Sequence, residues 1–215
     1  MKKHIILTTA FICVAFAWFT TPASAAMTEA VQSLQKSWAH ANYETEGKDR
    51  KKAFQALTKE ADKAVAANPD DAEAHVWTGI VYSTNAGEVS MFSAGKQVKR
   101  ARAELDRALE IDPNAINGAA YTSLGALLFQ IPGFMGGDDE IAETMLKKGV
   151  EMNADGIDSN YFYGLFLLDQ DRLDEAEVYL KKALSAKARP DRPIADTGRR
   201  SDINLALNDL NKQRS

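Results

Sequence analysis

One pattern occurs three times in this chain and restricts the fold more than any other feature. His75-x-x-Thr78-Gly79-x-x-Tyr82, Tyr121-x-x-Leu124-Gly125-x-x-Leu128 and Asn160-x-x-Tyr163-Gly164-x-x-Leu167 align without gaps. Each is followed by a second pattern: Ala101-x-x-x-Leu105-x-x-Ala108, Ala142-x-x-x-Leu146-x-x-Gly149 and Ala176-x-x-x-Leu180-x-x-Ala183. Spacings of three and four place residues on one helical face, so each pair of patterns predicts two helices. Small residues alternate with large ones, which is what two helices need where they cross closely. Five residues after the last small position come Pro113, Ala154 and Ala188. Proline ends a helix because it lacks the amide and clashes with the preceding turn. The unit is a helical hairpin, and self-similarity at periods of about 20 to 50 residues marks a stack of such units.

These residues resemble the tetratricopeptide repeat family, whose W-x-x-L-G-x-x-Y, A-x-x-x-F, P pattern recurs about every 34 residues. His75, Tyr121 and Asn160 stand where the family has tryptophan, which marks a divergent member. From Gly164 to Ala176 is 12 residues, the uninterrupted hairpin; the two earlier units carry 5 and 10 residues more. Ala64 and Pro69 repeat the closing signature upstream, with Trp38 and Ala41 on a partner helix over Thr28 to Tyr43. That is a degenerate N-terminal hairpin, as expected of a terminal repeat with one face in water. Pro190, Pro193 and Gly198 punctuate a linker, and Ile203, Leu207 and Leu210 then give a helical stripe over Asp202 to Leu210.

The expected fold is therefore all-α, a tetratricopeptide-like right-handed superhelix of about four helical hairpins with a C-terminal capping helix. Its expected divisions are a signal peptide over 1–25, the degenerate hairpin over 26–69, and three repeat units over 70–188. Those units are 70–114, 115–154 and 155–188, and a linker with the capping helix fills 189–215.

The N-terminus predicts export. Met1-Lys2-Lys3 is basic, Ile5 to Phe19 is an uncharged run of 15, and Ala23-Ser24-Ala25 offers the small residues of a signal-peptidase site. A run of 15 falls short of the roughly 20 residues a spanning helix needs. Cleavage after Ala25 would release a periplasmic or secreted protein. Cys13, the sole cysteine, lies inside the apolar run, so the released chain has no disulfide, thiol nucleophile or thiolate metal site. With 45% apolar and 26% charged residues the composition is globular. The formal charge is −4, or −6 without Lys2 and Lys3, which argues against nucleic acid as a partner.

No constellation for catalysis stands out. His40 and His75 are 35 residues apart, and His75 occupies a packed position of the repeat. H-E-x-x-H, G-x-S-x-G and glycine-rich phosphate-binding motifs do not occur. Asp169-Gln170-Asp171 begins like a calcium loop, but Leu173 and Asp174 replace an oxygen ligand and the required glycine. Asp171 reads instead as the cap of the next helix, and Asp138 as another. The expectation is no enzyme, no cofactor and no metal.

The resemblance implies a partner site. First helices of each hairpin line the family's concave face, which here carries Val76, Ile80, Ser83, Thr122, Ala126, Phe129, Tyr161, Leu165 and Leu168. This strip is mostly apolar, and Val76 and Ile80 stand where chaperone-binding relatives have the first residues of a carboxylate clamp. Such a groove receives an apolar protein or peptide segment, or is covered by the chain's own termini. Both extra segments fall between the two helices of their units. Phe92, in Met91-Phe92-Ser93-Ala94-Gly95, and Phe134 and Met135, in Ile131 to Gly137, are candidate loop contacts, or else cover the hairpin ends.

The leading expectation is thus a periplasmic scaffold or adaptor for protein–protein interaction; the alternative is a small-ligand or accessory component of an uptake system. Gly136-Gly137-Asp138 is similar to a turn in the periplasmic repeat partners of tripartite (TRAP) transporters, though those are often lipid-anchored through a cysteine this chain lacks. Lys181 to Ser215 carries 9 Lys and Arg against 4 Asp. This basic tail could dock on the acidic remainder, or touch anionic lipid, the one route to membrane contact.

Overall fold

A computed structural model describes residues 27–215; the export signal read in residues 1–25 lies outside the described residues. Among the described residues the regular structure is helical: α1 (Glu29–Tyr43), α2 (Gly47–Ala67), α3 (Ala72–Ala86), α4 (Met91–Ile111), α5 (Ala119–Gln130), α6 (Asp139–Met152), α7 (Ile157–Asp169), α8 (Leu173–Leu184) and α9 (Pro193–Gln213). Short 3₁₀ turns, Ala115–Asn117 and Gly133–Met135, precede α5 and α6.

Polar caps set several helix starts. The Asp71 carboxylate accepts from the amides of Glu73 (3.0 Å) and Ala74 (3.2 Å), and Asp138 accepts from Ile141 (2.9 Å), satisfying amides that lack a partner in the first turn. Asp171 does not cap α8. It takes a left-handed turn at φ 55°, and Arg172 stands at the N-cap without a side-chain capping bond. The tight turn needs an αL residue just before the helix, and aspartate tolerates that conformation better than most.

Successive helices pack as hairpins through the contact the repeats foreshadow. A Cβ added to Gly79 would lie 2.5 Å from Leu105 Cγ, one on Gly125 2.7 Å from Leu146 Cγ, and one on Gly164 2.9 Å from Leu180. Leu105, Leu146 and Leu180 are fully buried, each contributing about 1.5–3 kcal/mol through removal from water. The same small-to-large crossing in three hairpins stacks them into a tetratricopeptide-like superhelix.

Two features differ from the sequence reading. The first extra segment is not a glycine-rich loop: Met91 to Gly95 form the opening turn of α4, which runs 21 residues. No proline interrupts it, and one interior glycine costs only about 1 kcal/mol. The last helix also begins earlier than the stripe over Asp202 to Leu210 suggested. Pro193 occupies its first turn, where a missing amide is harmless, and Gly198 lies within it.

The core has two clusters. One joins α3 to α8 with Ile203, Ala206 and Leu210 of α9; the other joins α1, α2 and α3 with Ala195 of α9. The final helix therefore belongs to both ends of the molecule.

Candidate functional site

The odd-numbered helices α1, α3, α5 and α7 turn one face inward, and α9 returns across that face to α1. The closure is tight where Gly198 meets α1: a Cβ there would lie 2.2 Å from the Tyr43 ring. The Tyr43 hydroxyl donates to Asp202 of α9 (2.9 Å). At the other end Arg200 donates to the carbonyls of Leu184, the last residue of α8, and Ala186 just beyond it.

Between the inner helices and α9 lies a cleft of about 760 Å³. Of the residues assigned to a concave strip, Val76, Ile80, Ser83, Thr122, Ala126, Tyr161 and Leu165 line it. Phe129 and Leu168 do not. Phe129 packs edge-to-face on Phe166 (5.8 Å between ring centres), and Leu168 is buried in the core. Of the loop candidates, Met135 lines the cleft, whereas Phe92 and Phe134 are 99% and 82% exposed. Ile116 also lines it, held at φ 48°. That conformation strains a β-branched residue, and such strain concentrates at binding sites.

The wall includes an arginine cluster the sequence reading did not single out. Asp158 of α7 accepts from Arg189 Nη1 (2.8 Å) and Arg199 Nε (2.8 Å). Asp196 accepts from the Arg189 backbone amide and Nε, each at 2.7 Å. Burial alone would raise the Asp158 pKa, but the charges of Arg199, Arg189 and Arg192 outweigh it and hold the carboxyl well below the usual carboxylate range. Arg199 lies over the rings of Tyr161 (4.4 Å) and Phe162 (4.8 Å). Burial raises the pKa of both Tyr43 and Tyr161, so these phenols stay protonated and can donate.

Arg192 differs from its neighbours. Its guanidinium lies over Trp77 at 5.3 Å, and among the described residues the one carboxylate within 4 Å, Asp158, is 3.9 Å away and already holds two other arginines. Its Nε and the indole Nε1 of Trp77 are each buried without a hydrogen-bond partner among the described residues. Burial pushes Arg192 below the usual guanidinium value. On the opposite flank Arg50 donates to Glu88 (2.6 Å) and to Asn42 Oδ1 (2.8 Å), and Trp38 Nε1 donates to Thr84 (3.0 Å).

Chemically, the cleft combines an aromatic and aliphatic wall with committed ion pairs and a pair of spare donors. The only sequence signal for the cluster was the excess of positive charge after Lys181. That tail docks on the body through Arg189 and Arg199, and through Arg214, which bonds Glu177 and Asp174, both at 2.6 Å.

Residues 157–190, which span α7 and α8, match the model of the tetratricopeptide repeat family. The fold is tetratricopeptide-like. A thermophilic tetratricopeptide protein of Thermus thermophilus superposes with a TM-score of 0.55 at 15% identity, covering 83% of this chain and 97% of its own. MamA of Desulfovibrio magneticus gives a TM-score of 0.47 at 14% identity, with 87% and 96% covered. No curated protein sequence matches this one significantly. Among the described residues no helix is long and apolar enough to cross a membrane, and no three His, Cys, Asp or Glu side chains group as metal ligands.

Proposed function

We propose that this chain is a non-enzymatic binding protein of the bacterial cell envelope, an adaptor that holds a small ligand inside its closed superhelix and meets a protein partner at the edge. The observation that carries this reading is the return of α9 to α1. With α9 seated, the cleft is about 760 Å³, within the range of roughly 300–1,000 Å³ typical of small-molecule sites.

Binding rather than chemistry suits the wall, because two of its three carboxylates, Asp158 and Glu88, are committed to arginine. Tetratricopeptide architecture supports a protein partner as well. Met91 and Phe92, exposed on the first turn of α4, and Phe134 offer it apolar contact outside the cleft. The export signal read in residues 1–25 supports the envelope location, and the turn at Gly136-Gly137-Asp138 supports an accessory role in uptake.

A covalent lock tests the reading. Tyr43 Cγ lies 2.3 Å from the Cβ position of residue 198, so a Tyr43→Cys, Gly198→Cys pair comes within disulfide reach. Photo-crosslinking from position 92 in living cells is expected to yield the same discrete protein adduct with the lock oxidised or reduced. If oxidation abolishes the adduct and reduction restores it, α9 must leave for the partner to bind, and the closed reading fails.

A further inference from the structure

We infer that the cleft selects a small amphipathic carboxylate, an organic acid with an apolar body, whose anionic group is received by Arg192 at the end of the cleft formed by α1, α3 and α9. This deepens the small-ligand reading above and rests on it. Buried polar groups in folded proteins are nearly always partnered, so each exception needs a physical account. Here Arg192 Nε, Trp77 Nε1 and Arg189 Nη2 are buried donors without a hydrogen bond among the described residues, and all three residues line the same cleft; only Arg189 Nη2 has a carboxylate beside it, Asp196 at 2.5 Å. What the site lacks is an acceptor.

Charge narrows the acceptor to an anion. Arg189 and Arg199 are paired with Asp158, Asp196 and Asp202 at 2.5–3.1 Å, and Arg50 with Glu88. Of these four arginines only Arg192 has no described carboxylate closer than 3.9 Å. A largely buried cation whose nearest carboxylate stands at 3.9 Å is only weakly compensated, and a planar carboxylate matches the guanidinium fork with two hydrogen bonds. Its position over Trp77 fixes the plane of that fork. The remainder of the cleft dictates the rest of the ligand: Val76, Ile80, Leu127 and Leu165 form an apolar wall that a fully polar acid would leave unsatisfied. The volume is that of a small-molecule site.

Isothermal calorimetry on the mature chain tests the assignment with a defined panel: straight-chain acids from butyrate to decanoate, phenylacetate to phenylbutyrate, and the primary alcohol matching each. At least one acid is expected to bind, with its alcohol tenfold or more weaker, the size of a charge-assisted hydrogen bond. Arg192→Gln is expected to remove that preference, weakening the acid far more than its alcohol, and Trp77→Phe to reduce it. Circular dichroism on both variants checks that they fold, and Arg192→Lys, which keeps the charge, is expected to retain part of the preference if a variant is unstable. Equal binding of acids and alcohols, or a preference that survives Arg192→Gln, overturns the anionic assignment while leaving a closed small-molecule cleft. Binding by no member of the panel overturns the assignment too, and the crosslinking result then decides the wider reading separately.

Discussion

Gly198→Ala turns the closure of the superhelix into a question of sign. In an unencumbered helix interior, glycine to alanine stabilises by about 0.5–1 kcal/mol, because the unfolded chain loses freedom it no longer has to surrender. In this structure the new methyl would stand 2.2–2.4 Å from three atoms of the Tyr43 ring, far inside van der Waals contact. Those atoms belong to the near side of a ring wedged edge-on against Trp38 (5.9 Å between centres), so the ring has little room to retreat. Overpacking of this kind costs about 1–3 kcal/mol. Displacing Tyr43 also strains its hydrogen bond to Asp202, worth roughly 1.5–3 kcal/mol because the acceptor is charged. The net expectation is a loss of about 1–3 kcal/mol, a fall in Tm of roughly 2–10 °C for a chain this size. The assay is thermal and urea unfolding of four proteins: wild type, Gly198→Ala, Tyr43→Ala and the double variant. Once Tyr43 is alanine the clash is gone, so Gly198→Ala should become stabilising, giving a coupling of at least about 1.5 kcal/mol between residues 155 positions apart. Stabilisation by Gly198→Ala in both backgrounds would refute the docking of α9 on α1 and with it the cleft.

Asp158→Asn leaves Arg199 and Arg189 facing a neutral amide; a cost of about 2–4 kcal/mol is expected, somewhat below that of breaking a fully buried pair because Asp158 retains some exposure. Its folded pKa lies below its unfolded value, so its stabilisation is present above about pH 4 and is lost as pH falls toward the folded value; unfolding followed across pH 2–6 should be steeper in wild type than in Asp158→Asn. Gly125→Ala and Gly95→Ala should act in opposite directions. The first drives a methyl to 2.7 Å from Leu146 and 2.9 Å from a carbonyl, for a loss of about 1–3 kcal/mol, whereas the second meets nothing within 4 Å and should gain about 0.5–1 kcal/mol. Tyr82 has its pKa raised to about 12, first by burial and then by Asp62, whose carboxylate accepts its hydroxyl at 2.9 Å. Ultraviolet titration should show Asp62→Asn bringing it back toward 10, and the stability it lends wild type should be complete below pH 10 and decline as pH rises toward 12.

The hairpins were legible because their determinant is local. Gly79, Gly125 and Gly164 each recur at a fixed distance from small and large apolar residues, and only a close helix crossing uses that combination. The inner strip followed from the same register, and it failed where a non-local contact intervened. Phe129 leans onto Phe166 from the next hairpin, and Leu168 turns into the core, because the last turns of α5 and α7 face one another rather than the cleft.

Closure was the part the sequence concealed, and the reason is chemical ambiguity at two residue types. Proline and glycine break helices in the interior, so Pro193 and Gly198 read as a linker; yet proline is favoured in a first turn, and glycine is required where a ring lies against the helix. Distinguishing these roles takes knowledge of Tyr43, a residue at the far end of the chain. The charge pattern carried the missing information in coarse form, since a basic tail and an acidic body attract. What it could not assign was partnership: which arginines would find carboxylates and which would not. Arg189 and Arg199 meet Asp158 because three aspartates and the turn before α9 are placed to receive them, and Arg192, one residue before that helix, is carried over Trp77 instead. A surplus of charge read from composition thus becomes, in three dimensions, a specific set of ion pairs that leaves Arg192 over Trp77 as the cleft arginine held furthest from a carboxylate, and on the proposal above that arginine rather than the repeat pattern gives the cleft its chemical preference.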